Sequence, residues 1–87
     1  MYYVYVLYDR TGDRFYIGST NNLDRRWKEH VLGKTQTTSR MKDKNLVYYE
    51  ASISKQDTLR REKQLKTGFG RGYLRNRITY YLNNSGK

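Results

Sequence analysis

The sequence contains no cysteine. This absence excludes disulfide bonds, thiol nucleophiles and cysteine-ligated zinc sites, and it is typical of a protein in a reducing cytoplasm. No apolar run approaches the roughly 20 residues of a membrane-spanning helix. The start, MYYVYVLYDR, also lacks the basic-then-apolar order of a signal peptide. We therefore expect a soluble, cytoplasmic protein that does not span a membrane.

Acidic residues are scarce. The chain has 8 Asp plus Glu against 18 Lys plus Arg, a formal charge of +10 over 87 residues. Such a charge predicts an anionic partner, which could be a nucleic acid, an acidic protein or an anionic membrane surface. The apolar positions form narrow stripes, unlike the broad apolar face of a membrane-binding helix. Ten tyrosines interleaved with basic residues favour a nucleic acid, because cations neutralise phosphates and tyrosine stacks on bases.

Strand-like segments predict a hairpin and, later, a third strand. Aromatic, β-branched and aliphatic residues run over 2–8 and 14–17, separated by a polar turn at 9–13, and again over 46–53. The stretch 33–45 is polar and basic with little apolar periodicity. We expect this stretch to form an exposed loop that can touch DNA.

The first helical pattern follows the hairpin. Asn21 or Asn22 can cap this helix, and Gly33 is placed to end it. Its predicted core stripe has a four-residue spacing: Leu23, Trp27 and Val31. Arg26 and His30 are also four residues apart and lie next to that stripe, so we expect both at the edge of the sheet. By themselves these two side chains fit a solvated surface pair as well as a functional site.

The second helix carries one carboxylate among basic residues. Glu62 stands in a segment with four cations: Arg60, Arg61, Lys63 and Lys66. On a helical wheel Glu62 falls midway between Leu59 and Leu65, so we expect it to point toward the protein while its basic neighbours point away. An inward carboxylate needs a partner. A structural salt bridge with an arginine and a divalent metal ion both remain open.

Capping signals and a last apolar stripe complete the predicted fold. Ser54 and Asp57 form an Asp variant of the capping box that opens the second helix, which ends near Gly68. The inner face of a third helix follows the segment GFGRG: Leu74, Ile78, Tyr81 and Leu82. A polar tail at 83–87 should fray. The order β-β-α-β-α-α predicts one α+β domain over 1–87, a small three-stranded antiparallel sheet flanked by helices.

The hairpin contains two tripeptides, VYV at 4–6 and YIG at 16–18. They resemble the paired motifs of the GIY-YIG nuclease family. The first departs from the Gly-Ile-Tyr of the family name, so it contributes only its tyrosine, Tyr5. The resemblance extends over nearly the whole chain. It is closest to small stand-alone bacterial members related to the catalytic domain of the excinuclease C subunit.

The same resemblance covers both helices. The segment NLDRRWKEH resembles the first-helix signature of the family, in which an arginine, Arg26, is followed after three residues by a histidine, His30. Glu62 resembles the metal-binding glutamate of the family. Asn76, in the segment YLRNR, is our candidate for the late asparagine of the family.

The resemblance implies a metal-dependent endonuclease that hydrolyses DNA, structure-selective or weakly sequence-selective, in repair, recombination or defence. It implies that Glu62 holds one Mg²⁺ or Mn²⁺ ion and that Arg26 contacts the scissile phosphate. Tyr5 is the preferred general base, while His30 or Tyr16 orients the water or accepts a proton. Without the resemblance, both tyrosines could be packing residues of an aromatic hairpin. Predicted phosphate contacts come from seven basic residues: Lys34, Arg40, Lys42, Lys63, Lys66, Arg71 and Arg75.

The sequence also leaves three other functions open. A catalytically silent nucleic-acid-binding module would be expected to lose one of the Tyr, Arg, His or Glu positions, and all of them are kept. A nuclease that acts on RNA uses the same charges, since recognition of the 2′-hydroxyl depends on geometry. A subunit that needs a protein partner to present its substrate is the third. The oligomeric state does not follow from the sequence.

Overall fold

The computed structural model describes residues 1–84. The elements are β1 (Tyr2–Asp9), β2 (Arg14–Thr20), α1 (Leu23–Val31), a 3₁₀ helix (Gln36–Thr38), β3 (Lys44–Ser52), α2 (Lys55–Leu65), α3 (Gly68–Arg77) and α4 (Thr79–Asn84). The central strand β1 pairs antiparallel with both neighbours, which gives the order β2-β1-β3. The predicted α+β class and three-stranded antiparallel sheet are confirmed. Over residues 1–84, none of the helices has the length and apolarity to cross a membrane.

The two faces of the sheet carry different helices. Alternation along β1 directs Tyr5 and Leu7 to one face and Val4 and Val6 to the other, and all four are at most 2% exposed. On the first face, next to α1, Tyr5 and Leu7 form a cluster with five further residues: Tyr16, Leu23, Trp27, Met41 and Leu46. The second face is covered by α2 and α3, which bury Leu65 and Leu74. Each candidate functional side chain can therefore be assigned to one face of the sheet.

A β-bulge in β3 completes the first face. Val6 pairs with Tyr48, whereas Leu7 pairs with Leu46, so Val47 is the extra residue. Because side chains alternate along a strand, the bulge brings Leu46 to the same face as Leu7. Leu46 then packs against the cluster beside α1.

The caps of α1 form as predicted, but its buried stripe differs. Asn22 is the N-cap, and Gly33, with φ of 74°, follows the end of the helix. Val31 is 55% exposed and His30 is 0% exposed, so the predictions of a core Val31 and an edge His30 are wrong. At 3.6 residues per turn, position i+7 lies within about 20° of position i, whereas i+8 is about 80° away. The stripe that faces the sheet is therefore Leu23, Trp27 and His30.

The orientation of α2 also departs from its helical wheel. Thr58 and Leu65 are buried, while Leu59 is 47% exposed. Arg61 does not point away from the protein, because its Nε and Nη2 donate to the two carboxylate oxygens of Glu50 on β3, at 2.9 and 2.8 Å. The helix thus turns its Thr58–Leu65 line toward the sheet.

The last helical region begins earlier than predicted and is broken. The segment GFGRG is the start of α3 rather than a connection, and Ile78 interrupts the helix before α4. The order is therefore β-β-α-β-α-α-α instead of β-β-α-β-α-α. The predicted polar tail at 83–87 is also revised, because α4 extends to Asn84, and residues 85–87 lie outside the described part of the chain.

The stretch 33–45 is not the fully exposed loop that its composition predicts. Thr38 is completely buried and Met41 is 7% exposed. Met41 packs in the cluster beside α1, and Thr38 hydrogen-bonds to His30. These two contacts hold the loop against the first face of the sheet. The small polar residues of the loop do not predict this packing.

Candidate active site

Tyr5 is the centre of a hydrogen-bond network on the first face of the sheet. Its hydroxyl oxygen, Oη, lies 2.8 Å from His30 Nε2 and 3.3 Å from Arg26 Nε. Gly18 is the register partner of Tyr5 on β2. A Cβ atom at Gly18 would lie 2.6 Å from Oη, so the Tyr5 hydroxyl occupies the space that any larger residue there would need.

His30 connects Tyr5 to the loop at 33–45. Its Nδ1 lies 2.7 Å from Oγ1 of the buried Thr38. The two distances fit two tautomers: either Thr38 donates to Nδ1 and the ring proton on Nε2 is directed at Tyr5, or the ring proton on Nδ1 is donated to Thr38 and the Tyr5 hydroxyl donates to Nε2. Burial and the charges of Arg26 and Lys44 lower the pKa of His30, which favours the neutral ring. When Tyr5 is a phenolate, this neutral ring carries its proton on Nε2, because the ionised Oη can only accept a hydrogen bond.

Two nitrogen atoms therefore converge on one phenol oxygen, and both can donate to its ionised form. Donors directed at Oη favour the phenolate form of Tyr5. Burial has the opposite and larger effect, and it raises the pKa of Tyr5 to about 12 despite the hydrogen bond from Arg26. In the free protein Tyr5 is a neutral phenol at pH 7, and additional positive charge bound beside it would lower its pKa.

Arg26 forms the exposed end of this network. Its side chain is 33% exposed, and Nη1 donates to Glu29 Oε1 at 2.9 Å. The hydrogen bonds to Tyr5 and Glu29 raise the pKa of Arg26, which keeps the guanidinium charged. Within the described residues Nη2 has no hydrogen-bond partner. That nitrogen is available to a phosphate oxygen.

Tyr16 borders both this network and a groove at the edge of the sheet. Its ring centroid lies 6.2 Å from that of Tyr5 and 5.4 Å from that of His30. It also lines the groove between β2 and the helices α2 and α3. Tyr16 is thus positioned between the Tyr5 network and the helices of the second face.

Glu62 lies on the opposite face of the sheet. Its Oε1 accepts a hydrogen bond of 2.7 Å from Ser19 Oγ, and its Oε2 is 2.9 Å from Lys66 Nζ. The carboxylate side chain is 17% exposed, so its predicted inward orientation is confirmed. Ser19 directly follows Gly18, and Tyr5 and Glu62 therefore contact adjacent residues of the edge strand β2.

Glu62 could hold a divalent cation. Magnesium ions are usually bound through one or two carboxylates, several waters and substrate phosphates. Glu62 supplies one carboxylate and Ser19 one hydroxyl oxygen. Residues 1–84 contain no group of three or more His, Cys, Asp or Glu side chains that would form a full protein cage. These two oxygen ligands fit one largely solvated ion, which would replace Lys66 Nζ beside Oε2 of Glu62.

Asn76 contacts neither half of this candidate site. Its side chain is exposed on α3, and its backbone carbonyl accepts a hydrogen bond from Thr79 Oγ1. A catalytic role for Asn76 stays a prediction without a supporting contact.

The seven predicted phosphate-binding residues are distributed over three regions. Three are exposed in the loop at 33–45: Lys34, Arg40 and Lys42. Lys63 is exposed on α2 and lines a surface depression there. The other three line the groove beside Tyr16: Lys66, Arg71 and Arg75. The last set adjoins the candidate site.

Two residues of the site are absent from the sequence-based prediction. Ser19 directly follows the YIG motif, and strand alternation could have directed it to the face that α2 covers. Thr38 lies in a stretch without periodicity, and no sequence signal connects it to His30. Only the folded position of the loop reveals its role.

Comparison with known proteins supports the resemblance. The family model of the GIY-YIG catalytic domain matches residues 1–76. The solution NMR structure of a UPF0213 protein from Bacillus halodurans is 29% identical to this chain and covers 97% of it, with a TM-score of 0.57; the match covers 95% of that protein. No curated protein matches the chain. The family match includes all the predicted catalytic positions: Tyr5, Tyr16, Arg26, His30, Glu62 and Asn76.

Proposed function

Because this chain belongs to the GIY-YIG family, we propose that it is a divalent-metal-dependent endonuclease that hydrolyses phosphodiester bonds in DNA. The observation that carries the proposal is the convergence of Arg26 Nε and His30 Nε2 on the Tyr5 hydroxyl. Packing alone would not require two nitrogen atoms directed at one buried phenol oxygen. The arrangement supports a tyrosine that acts as a base.

Hydrolysis requires an activated water and stabilisation of charge on the phosphate. Tyr5 Oη removes a proton from the water in its phenolate form, which its two N–H donors stabilise. Arg26 keeps its charge and has Nη2 available, so it binds a phosphate oxygen while Nε stays on Tyr5. His30 holds the phenol in position, and Tyr16 flanks both rings.

Glu62 is the proposed ligand of the metal ion. When bound, Mg²⁺ or Mn²⁺ supplies Lewis-acid stabilisation of charge on the phosphoryl and leaving oxygens. Ser19 holds one carboxylate oxygen of Glu62 in a fixed orientation. Lys66 neutralises the other oxygen until a cation replaces it.

We expect selectivity for DNA structure rather than for base sequence. The exposed basic residues are suited to phosphates, and phosphate contacts carry no direct sequence information. The lack of cysteine is typical of work in a reducing cytoplasm, where DNA repair is one of the compatible processes.

The test is cleavage of end-labelled single-stranded, duplex and branched DNA with Mg²⁺ or Mn²⁺ at low salt. Glu62→Gln should lower the cleavage rate roughly 100-fold or more while DNA binding persists. Asp57→Asn is the matched control, because it removes an exposed carboxylate from the same helix. It should cleave like the wild type.

Three results would contradict the proposal. Equal cleavage by Glu62→Gln, or cleavage that continues in EDTA, would exclude the proposed metal role of Glu62. Binding of DNA without any cleavage by the wild type would instead favour a silent module or a subunit that requires a protein partner.

A further inference from the structure

The groove between β2 and the helices α2 and α3 has an apolar floor and a basic rim. Its volume is about 650 Å³. The accessible part of the floor consists of two half-buried apolar side chains, Phe15 and Ile17, because Leu65 and Leu74, which also line it, are at most 1% exposed. The more exposed rim consists of one carboxylate, that of Asp13, and four cations: Arg14, Lys66, Arg71 and Arg75. The proposed catalytic chemistry leaves most of this lining unused.

Arg71 is the rim cation available to an incoming anion. The other three are engaged in ion pairs: Arg14 with Asp9, Lys66 with Glu62, and Arg75 with Asp13. Arg71 is exposed and forms no ion pair within residues 1–84. Its charge is therefore uncompensated, and it suits an anionic ligand.

The groove touches both halves of the candidate active site. Tyr16, at one wall, packs near the ring of Tyr5, with ring centroids 6.2 Å apart. Lys66, at another, holds the Glu62 carboxylate. A phosphodiester chain that lies in the groove therefore meets one neighbour of Tyr5 and one neighbour of Glu62.

We propose that this groove binds an unpaired DNA strand, so that the substrate class is single-stranded DNA or the unpaired part of a branched structure. This inference rests on the proposed nuclease function. Pockets of about 300–1,000 Å³ accommodate small molecules, which is the scale of one or two nucleotides. A duplex presents phosphates outward and keeps its bases stacked inside, and it would leave the apolar floor uncovered. An unpaired base can cover that floor while its phosphates meet the rim.

The proposal is tested by fluorescence anisotropy in EDTA, where metal-dependent cleavage does not occur. The probes are a labelled 12-nucleotide strand and a hairpin that contains the same sequence as duplex. The strand should bind roughly tenfold more tightly than the hairpin. Arg71→Gln should weaken strand binding roughly tenfold and change hairpin binding less than about twofold. For the strand, the slope of the logarithm of the binding constant against the logarithm of the salt concentration should also become less steep by about 0.7.

Arg77→Gln is the matched control, because it removes an exposed arginine from the same helix outside the groove. It should leave the binding of both probes unchanged within about twofold. Equal affinity for strand and hairpin, or an equal effect of Arg71→Gln on both, would overturn the assignment of the groove.

The cleavage assay separates this inference from the proposed function. Metal-dependent cleavage confined to duplex DNA would contradict the assignment of the groove and support the nuclease function. Strand-selective binding through Arg71, without cleavage of any DNA, would contradict the nuclease function and support the assignment of the groove.

Discussion

At the scale of the residue, Thr38 determines how the candidate general base is hydrogen-bonded. When Tyr5 is the phenolate that acts as the base, its Oη can only accept, so the imidazole proton is on Nε2 and the buried Thr38 hydroxyl donates to Nδ1. The opposite tautomer would leave the Thr38 proton without an acceptor in a site that water does not reach. The cost of such an unsatisfied group is about 1–3 kcal/mol.

Thr38→Val therefore provides a sharp test, because valine keeps the shape of threonine and removes the hydroxyl. We expect the wild-type ¹⁵N NMR spectrum to show His30 protonated on Nε2, and Thr38→Val to show a mixture of tautomers. The cleavage rate should fall roughly tenfold in Thr38→Val, and Thr38→Ser, which keeps the donor, should retain it. A wild-type ring protonated on Nδ1 would contradict the assignment.

At the scale of the element, the tight turn from α2 into α3 depends on one glycine. Gly70 is buried, and a Cβ there would overlap the backbone carbonyl of Leu65. Gly72, on the same helix, is exposed, and a Cβ there would meet nothing within 4 Å. Both positions are glycines within α3, but only Gly70 lacks room for a Cβ atom.

Alanine at these two positions should have opposite effects. Gly70→Ala should destabilise the protein by about 2 kcal/mol and lower Tm by roughly 10 °C, because backbone must move. Gly72→Ala should stabilise it by about 0.5–1 kcal/mol, the usual gain over glycine inside a helix. Thermal unfolding followed by circular dichroism measures both. Equal shifts in the two variants would mean that the close approach of α2 and α3 is unimportant.

Elements set by local signals could be predicted from the sequence, whereas those set by distant contacts could not. The hairpin and the Asn22 cap follow from local turn and capping chemistry. The bulge at Val47 arises only because β3 must pair with β1. The early start of α3 depends on the packing of Gly70 against α2.

The candidate site divides in the same way. Helical spacing puts Arg26 and His30 close together, and the motif adds Tyr5, so this half could be predicted. The contact between His30 and Thr38 depends on how a nonperiodic loop folds back. The inward orientation of Glu62 agrees with its wheel position, but neither its hydrogen bond with Ser19 nor its location on the opposite face of the sheet follows from the wheel.

At the scale of the whole molecule, the charge of +10 affects binding and folding in opposite directions. Contacts with phosphates release counterions, so added salt weakens DNA binding. The same salt screens repulsion among the protein's own cations, which favours the compact state.

Raising NaCl from about 50 to 200 mM should therefore weaken DNA binding roughly tenfold or more, as expected for several phosphate contacts. Over the same range Tm should stay constant or rise. Anisotropy titrations and thermal scans in matched buffers measure the two effects. Binding that does not respond to salt would contradict a phosphate-based interface.

The single-turnover rate of DNA cleavage from pH 6 to 9, for wild type and Tyr5→Phe, is the most direct test of Tyr5 as the general base. Because burial raises the pKa of Tyr5 to about 12 in the free protein, the phenolate fraction should still increase with pH across this range. The wild-type rate should therefore rise by up to about tenfold per pH unit, and Tyr5→Phe should lose roughly 100-fold or more of the rate. Tyr3→Phe, a neighbouring tyrosine on the same strand, should behave like the wild type. A Tyr5→Phe rate within about threefold of the wild type, with the same pH dependence, would contradict the proposed role of Tyr5.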